Sequence, residues 1–395
     1  MEGWKKYSFK EIASLSKGKY NPKKEKLDLP CIELEHLESE TGRLLGYTSS
    51  LLQRSTKNRF KPGDILYGKL RPYLRKYYFP NFEGVCSSEI WVLKNEKQKV
   101  YNKYLYYVIQ TNRFNQNANK SSGTKMPRAD WDFVSETVFP IPPFNEQYKI
   151  ALILSTWDKA IELKEKLIEQ KKEQKKGLMQ KLLTGEVRLP GFKEEWKIVR
   201  LGEIGKTYNG LSGKSAGDFG KGKPYIPYKT IFDDAKIDLN KLDYVEIEAG
   251  ENQNSAKYGD IFFTTSSETP DEVAMSSVLL DHINEIYLNS FCFGYRLNNF
   301  SVLLPEFAQF LFRSDGFRRK TFSLAQGSTR FNISKNEVMK IEVSLPSIEE
   351  QKSIAEILSY SDKEIKLLDK QVEFLKQQKK GLMQLLLTGK VRVQV

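Results

Sequence analysis

The chain has 395 residues and a formal net charge of +13, with 63 Lys and Arg against 50 Asp and Glu. That length allows two or three domains with cores of their own. It holds no run of about 18 apolar residues, so no transmembrane helix is expected, and its opening, MEGWKKYSFKE, lacks the apolar centre of a signal peptide. Cys31, Cys86 and Cys292 are scattered and odd in number, and only His36 and His282 stand beside them. This excludes a zinc or disulfide framework, so no metal site and no cofactor are expected, in a reducing, cytoplasmic setting.

Residues 1–144 form a first globular domain with 25 Lys and Arg against 15 Asp and Glu, a net charge of +10. A basic globular domain points to a polyanion, most often nucleic acid. Short β-rich runs at 65–67 and 89–93 sit between Gly, Pro and Asn turns, and a helical stretch follows near 101–118. Lys69, Arg71, Tyr73, Arg75 and Lys76 combine cationic and planar groups at a strand end, with Pro72 stiffening the turn. Arg suits bidentate reading of guanine, while Lys holds phosphate, so this cluster is a candidate DNA contact. Thr124, Lys125 and Arg128 lie in a Ser/Gly-rich turn that allows close backbone approach to phosphate.

A long helix is expected over 145–188. Pro142 and Pro143 precede it, no Pro interrupts it, and Gly185 can take the left-handed cap after Leu-Leu-Thr. Ile150, Leu154, Trp157, Ile161, Ile168, Leu178 and Leu182 fall on one seam of a 3.5-residue repeat, with Lys164, Lys171 and Lys175 intruding. Long Lys stems can cover apolar surface while the ammonium reaches solvent, and these positions can equally face a partner protein.

Residues 189–348 form a second globular domain with a net charge of −2, too little for bulk attraction to a polyanion. It would need local clusters such as Arg318, Arg319 and Lys320. Strands are expected at 261–265 and 291–297, and a helical stretch near 304–320. Ser328, Thr329, Arg330 and Asn332 follow Gly327 and are candidate DNA contacts. Lys229, Thr264, Thr265 and Ser266 are weaker ones. The Gly213-Lys214-Ser215 triplet is not a phosphate loop, because that loop needs a glycine at the position of Tyr208.

Residues 349–395 close the chain with a second long helix and a tail. Residues 349–392 repeat 145–188 without a gap at an offset of 204, with 27 of 44 positions identical. Ile354, Leu358, Ile365, Leu368, Val372, Leu375, Leu382 and Leu386 make its seam, and Gly389 stands where Gly185 does. Two rods with apolar seams are expected to pack as an antiparallel coiled coil with pseudo-two-fold symmetry. The globular parts repeat more loosely. Trp4 with Phe9-Lys10-Glu11-Ile12 matches Trp196 with Leu201-Gly202-Glu203-Ile204, and Gly63-Asp64-Ile65 matches Gly259-Asp260-Ile261. The fold class is α+β: two similar β-rich domains, each joined to one of two long helices.

On the paired Glu-Gln…Lys-Lys-Gly-Leu-Met-Gln…Leu-Leu-Thr-Gly helices, the openings at Trp4 and Trp196, the Gly-Asp-Ile strands, and the segments 63–74 and 122–128, the chain resembles the specificity (S) subunit of type I restriction-modification systems. The resemblance runs over its whole length. It implies that each globular unit is a target-recognition domain reading one half of a split, asymmetric sequence in double-stranded DNA. It implies that the helices set the gap between half-sites and dock two adenine methyltransferase (M) subunits. Restriction/translocase (R) subunits join to make the nuclease, and the S chain performs no chemistry. Gly213–Lys223 departs from a simple carry-over, having no counterpart in the first domain.

The residues read alone leave two rival classes. One is a self-contained methyltransferase or nuclease. Against it, the chain holds no Asn/Asp-Pro-Pro-aromatic tetrapeptide of the kind adenine methyltransferases carry, and two histidines make His-based general base chemistry a poor fit. The other is a coiled-coil adaptor without a DNA role, against which the +10 first domain speaks.

Overall fold

The computed structural model describes residues 3–95, 99–120 and 126–394. The chain divides into two compact units, residues 1–165 with 370–395, and residues 166–369. Each unit therefore takes one globular domain and part of each long helix.

In the first unit, Lys5–Ser8 pairs antiparallel with Val138–Ile141, tying the start of the globular domain to its end. A four-stranded sheet runs in the order Ser14–Leu15, Ile90–Lys94, Ile65–Gly68, Tyr77–Tyr78. A five-stranded sheet runs Lys19–Tyr20, Lys57–Phe60, Gly84–Cys86, Pro30–Ile32, Thr48–Ser49, with one parallel pair, Pro30–Ile32 beside Gly84–Cys86. The helical stretch expected near 101–118 is two helices, Asn102–Val108 and Asn112–Ala118. Thr111 breaks it: its hydroxyl accepts from the Phe114 N–H at 3.3 Å, an N-cap that restarts the helix. Phe9 is fully buried and meets Phe114, Trp131 and Phe139 edge to face, at centroid distances of 5.0, 5.9 and 5.9 Å.

The second unit is built alike. Lys197–Arg200 pairs with Glu342–Leu345. The four-stranded sheet runs Gly205–Asn209, Cys292–Leu297, Ile261–Thr264, Ser276–Val278. The smaller sheet has three strands, Asp243–Val245, Phe219–Ile226, Tyr287–Leu288, again with one parallel pair. Its helical stretch also splits, into Pro305–Leu311 and Asp315–Ser323, at the cap Ser314, whose hydroxyl accepts from the Phe317 N–H at 3.3 Å. The segment 213–223 runs into the first half of the strand Phe219–Ile226, and Pro224-Tyr225-Ile226 occupies the place of Pro30-Cys31-Ile32 in the first unit.

The long helices run over Phe144–Thr184 and Ile348–Leu387, and Gly185 and Gly389 cap them at φ 73° and 72°. In each unit the two helical parts pair antiparallel. In the first unit, Glu146 meets Arg392, Asp158 meets Lys379, Glu165 meets Lys376, and Lys164 donates to Gln371 at 2.7 Å. In the second, Lys171 meets Glu364, Lys175 meets Asp362 and Arg188 meets Glu350. The intruding lysines of the seam thus find oxygen partners across the pair, which lets an ammonium sit at a half-buried helix contact. Ile150 and Leu154 pack with Leu386 in the first unit, Leu182 with Ile354 and Leu358 in the second. Ile161, Ile168, Leu368 and Val372 are buried, while Trp157, Leu178, Ile365, Leu375 and Leu382 are half-buried.

The offset of 204 carries ion pairs of one unit onto the other: Arg188–Glu350 onto Arg392–Glu146, and Lys175–Asp362 onto Lys379–Asp158. Gln147 and Gln351 match as well. The Gln147 amide donates to Pro142 O and Lys99 O and accepts from the Tyr101 N–H; Gln351 does so with Pro346, Val302 and Leu304. Buried side-chain amides need all such partners, so this position ties the foot of each helix to its own domain. No helix among the described residues is long and apolar enough to cross a membrane, and none of their His, Cys, Asp and Glu side chains cluster as a metal site.

Candidate nucleic-acid interface

In the first unit the strand Ile65–Gly68 leads into a loop bent around the short 3-10 turn Pro72–Leu74. Arg71 and Arg75, on either side, adopt left-handed conformations at φ 51° and 47°. A non-glycine residue there is strained, and such strain persists only where surrounding bonds over-determine it. The bonds are present. The Arg71 N–H donates to Pro127 O at 2.8 Å, the Ala129 N–H to Lys69 O at 2.8 Å, the Arg75 N–H to Pro72 O at 2.9 Å, and the Gly68 N–H to Lys76 O at 2.8 Å. The loop is therefore zipped to 127–129, which brings Arg128 to the same face.

The five residues of the cluster divide by what their side chains touch. Lys76 Nζ donates to Leu34 O at 2.7 Å and Arg75 Nη2 to Asn112 Oδ1 at 3.1 Å, so both brace the loop. Arg128 makes a two-pronged pair with Glu89 at 3.0 and 3.3 Å, and that carboxylate holds its pKa above the ordinary guanidinium value. Lys69, Arg71 and Tyr73 make no side-chain hydrogen bond or ion pair among the described residues, and Tyr73 is 55% exposed. Beside them lies an open cleft of about 320 Å³ lined by Lys69, Trp91, Met126, Arg128, Asp130 and Trp131. The Lys69 ammonium at this opening, with Arg71 and Tyr73 beside it, can grip phosphate and meet base edges, while Arg128 is held by Glu89 and Trp91 is buried. Thr124 and Lys125 lie outside the described residues.

In the second unit, Ile261–Thr264 leads into the corresponding loop, 265–275, which turns on the 3-10 segment Pro270–Glu272. It too is zipped to a later segment: Ser266–Ser267 pairs antiparallel with Phe331–Asn332, and the Ile333 N–H donates to Thr265 O at 3.0 Å. Gln326 and Asn332 exchange backbone bonds at 2.9 and 2.8 Å, closing a small hairpin. Gly327 sits in it at φ 133°, where a Cβ would lie 2.1 Å from Arg330 O, so only glycine fits. The tip presents Ser328, Thr329 and Arg330, all exposed, with Asn332 exposed beside them.

The weaker candidates separate. Thr264 is fully buried and its hydroxyl accepts from the Met275 N–H at 3.0 Å; it belongs to the core because the whole strand 261–264 is covered on both faces. The Thr265 hydroxyl donates to Phe291 O at 2.7 Å, and the Ser266 carbonyl accepts from the Tyr228 hydroxyl at 2.6 Å. Lys229 is exposed and pairs with Asp233 one helical turn away at 2.7 Å. Arg318, grouped from the sequence with Arg319 and Lys320 as a possible surface cluster, spends its guanidinium on the carbonyls of Asp271, Val273 and Ala274. The match of the Gly-Asp-Ile strands, at an offset of 196, already marks 265–272 as the counterpart of 69–76, of which only Thr265 and Ser266 are among the candidates. Many lysines of this unit are neutralised locally: Lys214 by Glu251, Lys221 by Glu246, Lys223 by Glu285 and Lys236 by Asp281.

The model for the type I restriction modification DNA specificity domain matches residues 1–172 and again residues 193–377. The chain is similar to the type I restriction enzyme MjaVIII specificity subunit of Methanocaldococcus jannaschii, 28% identical over 79% of this chain and 75% of that one. A putative MjaX specificity subunit of the same organism is 27% identical over 99% and 94%. Among solved structures, a chain from a study of complex assembly and conformational transition of the type I R-M system matches with a TM-score of 0.64 at 17% identity, covering 99% of both chains. The HsdS subunit from Thermoanaerobacter tengcongensis matches with a TM-score of 0.52 at 19% identity, over 99% of this chain and 98% of that one. These two share the fold.

Proposed function

Since the chain belongs to the family of type I restriction modification DNA specificity domains, we propose that it reads a split, asymmetric DNA site, one half with each globular domain, and holds an adenine methyltransferase there. It is a specificity subunit, a DNA-recognition component without catalysis of its own. Two M subunits dock on it and R subunits join them, on double-stranded DNA in the cytoplasm.

One observation carries this reading. The same loop, zipped to a later segment, stands at the same place in both units, but the two together present different side chains: Lys69, Arg71 and Tyr73 with Arg128 in one, Thr329 and Arg330 with Asn332 in the other. A shared scaffold with unlike exposed groups suits two different half-sites. Arg71 reads a guanine edge through a two-pronged contact, while Lys69 and the basic first domain hold phosphates. The near-neutral second domain relies on the Arg330 hairpin. The helices dock the methyltransferase subunits, and their length sets the gap between the half-sites.

The test is to purify the chain alone and with its methyltransferase partner, and to map methylated adenines on genomic DNA. The single chain should neither methylate nor cut; the pair should methylate one bipartite sequence. Methylation by the rigorously purified single chain, or adenine methylation by the pair without sequence preference, refutes the proposal. A salt-titrated gel shift separates the reading from a DNA-free adaptor, for which no affinity would fall with rising salt.

A further inference from the structure

In the second unit the zipped loop is held by a side chain without an equivalent in the first. Arg318 stands on the helix Asp315–Ser323 and spans the loop. Its Nη1 donates to Ala274 O at 2.8 Å, and its Nη2 to Asp271 O and Val273 O, both at 2.6 Å. Burial among these groups lowers its pKa from the ordinary guanidinium value. The fork holds three carbonyls from two separated nitrogens at fixed angles, whereas an ammonium offers its donors from a single point at the end of a flexible stem.

The loop needs holding. Ala274 is fully buried and lies in the left-handed region at φ 53°, a conformation an L side chain rarely keeps without support. Its own N–H donates to Thr264 O at 3.1 Å, at the end of the core strand. The first unit solves the same problem differently. There the residue at the place of Arg318 is Asn115, buried, which accepts from the Tyr67 hydroxyl at 3.0 Å and donates to Ile109 O and Thr111 O, both at 2.9 Å. It bonds the core and leaves the loop 69–76 to backbone bonds, those to 127–129 included, and to Arg75 and Lys76.

We infer that Arg318 is a positioning residue for the second half-site alone. It fixes the course of 269–274, and through the pairing of Ser266–Ser267 with Phe331–Asn332 it fixes the hairpin that presents Arg330. It does so without touching DNA. This rests on the reading above that the zipped loops meet DNA.

The test uses the full chain with its methyltransferase partner and a random-sequence duplex library, selecting bound and methylated sites. Arg318→Lys should lower base preference in the second half-site about ten-fold, leave the first half-site unchanged, and leave the salt dependence unchanged because no phosphate contact is removed. Adding Ala274→Gly, which takes the left-handed conformation without strain, should return most of the preference. The inference is overturned by undiminished second-site preference in Arg318→Lys, by equal loss at both half-sites, by a salt slope reduced by about one counterion, or by no recovery with Ala274→Gly. Arg330→Ala separates the two levels. If it alone changes the second half-site, only the role of Arg318 fails. If neither variant changes it, the assignment of this loop face to DNA fails.

Discussion

The pair Arg188–Glu350 allows a worked prediction. Its carboxylate side chain is 1% exposed and accepts from Arg188 Nε at 2.8 Å and Nη2 at 2.7 Å, while the Arg188 side chain is 27% exposed. Breaking a buried pair by removing one partner costs about 3–5 kcal/mol. Glu350→Ala removes the buried member and leaves Arg188 near enough to solvent to turn outward, so its cost should fall below that range, at about 2 kcal/mol. The matching pair of the first unit, Arg392–Glu146, has a more exposed guanidinium at 42%, and screening should reduce its own cost to about 1 kcal/mol. Glu146 also accepts from Trp4 Nε1 at 3.2 Å, whereas Trp196 Nε1 is buried without a partner among the described residues. Glu146→Ala therefore strands the Trp4 N–H and should lose about 1 kcal/mol more, bringing the two variants level for different reasons. The sharper consequence concerns the indoles: Trp4→Phe should cost about 1 kcal/mol more than Trp196→Phe. A chain with two cores need not unfold in one step, so the assay is native-state hydrogen exchange at the helix feet, amides 144–154 and 348–358, with a double-mutant cycle of Arg188→Ala and Glu350→Ala. A coupling below about 0.5 kcal/mol would match that of an exposed pair and would refute the reasoning, as would equal costs for the two Trp variants.

Four further outcomes are expected. Arg71→Ala should cost about 1–3 kcal/mol of discrimination and relax one base of the first half-site, whereas Lys69→Ala should weaken all sequences alike and reduce the salt slope by about one; identical profiles for the two would undo the division of labour. Residues 1–192 carry both members of the repeated ion pairs, Glu146 with Arg188 and Asp158 with Lys175, so this half should dimerise and, with the methyltransferase, recognise an inverted repeat of its own half-site; a monomer by sedimentation would contradict it. The Glu251 carboxyl, bonded by Lys214, Gln253 and the Glu248 N–H, is lowered to about 2; because the folded value lies below the unfolded one, its stabilisation is present above the unfolded pKa and is lost as pH falls towards about 2, and NMR titration of Lys214→Met should show the carboxyl returning towards 4.5. Inserting one heptad after Lys166 keeps the seam in phase and adds about 10 Å of helix, so methylation mapping should find a longer gap with both half-site sequences unchanged; a constant gap would leave the helices only as a docking surface.

Much of this architecture is legible in the sequence because it is local or repeated. Helix ends follow from Pro143 before Phe144 and from Gly185 and Gly389, whose backbone requirement is met by one residue type wherever it occurs. The seam positions follow from a period, and the duplication from an offset of 204. The division of each helical stretch at Thr111 and Ser314 was also within reach, since a hydroxyl cap is a local signal, but the apolar run across it reads as continuous.

Availability of a side chain is a different kind of property. Lys76 and Lys69 are the same residue type in one basic run, yet Lys76 is spent on a carbonyl 42 residues away while Lys69 is not. Arg318 looks like a surface cation beside Arg319 and Lys320, and its partners lie 44 to 47 residues back along the chain. Thr264 follows three apolar residues at a strand end, and only the layers on both faces of that strand bury it. The repeated frame, its helices and the basic first domain can be read along the chain alone, because they rest on periodicity, caps and composition within short windows. Which cations are left free to meet a ligand was decided only by the tertiary structure, because a guanidinium or ammonium bonds whichever oxygen folding brings within about 3 Å, and that oxygen comes from a distant segment.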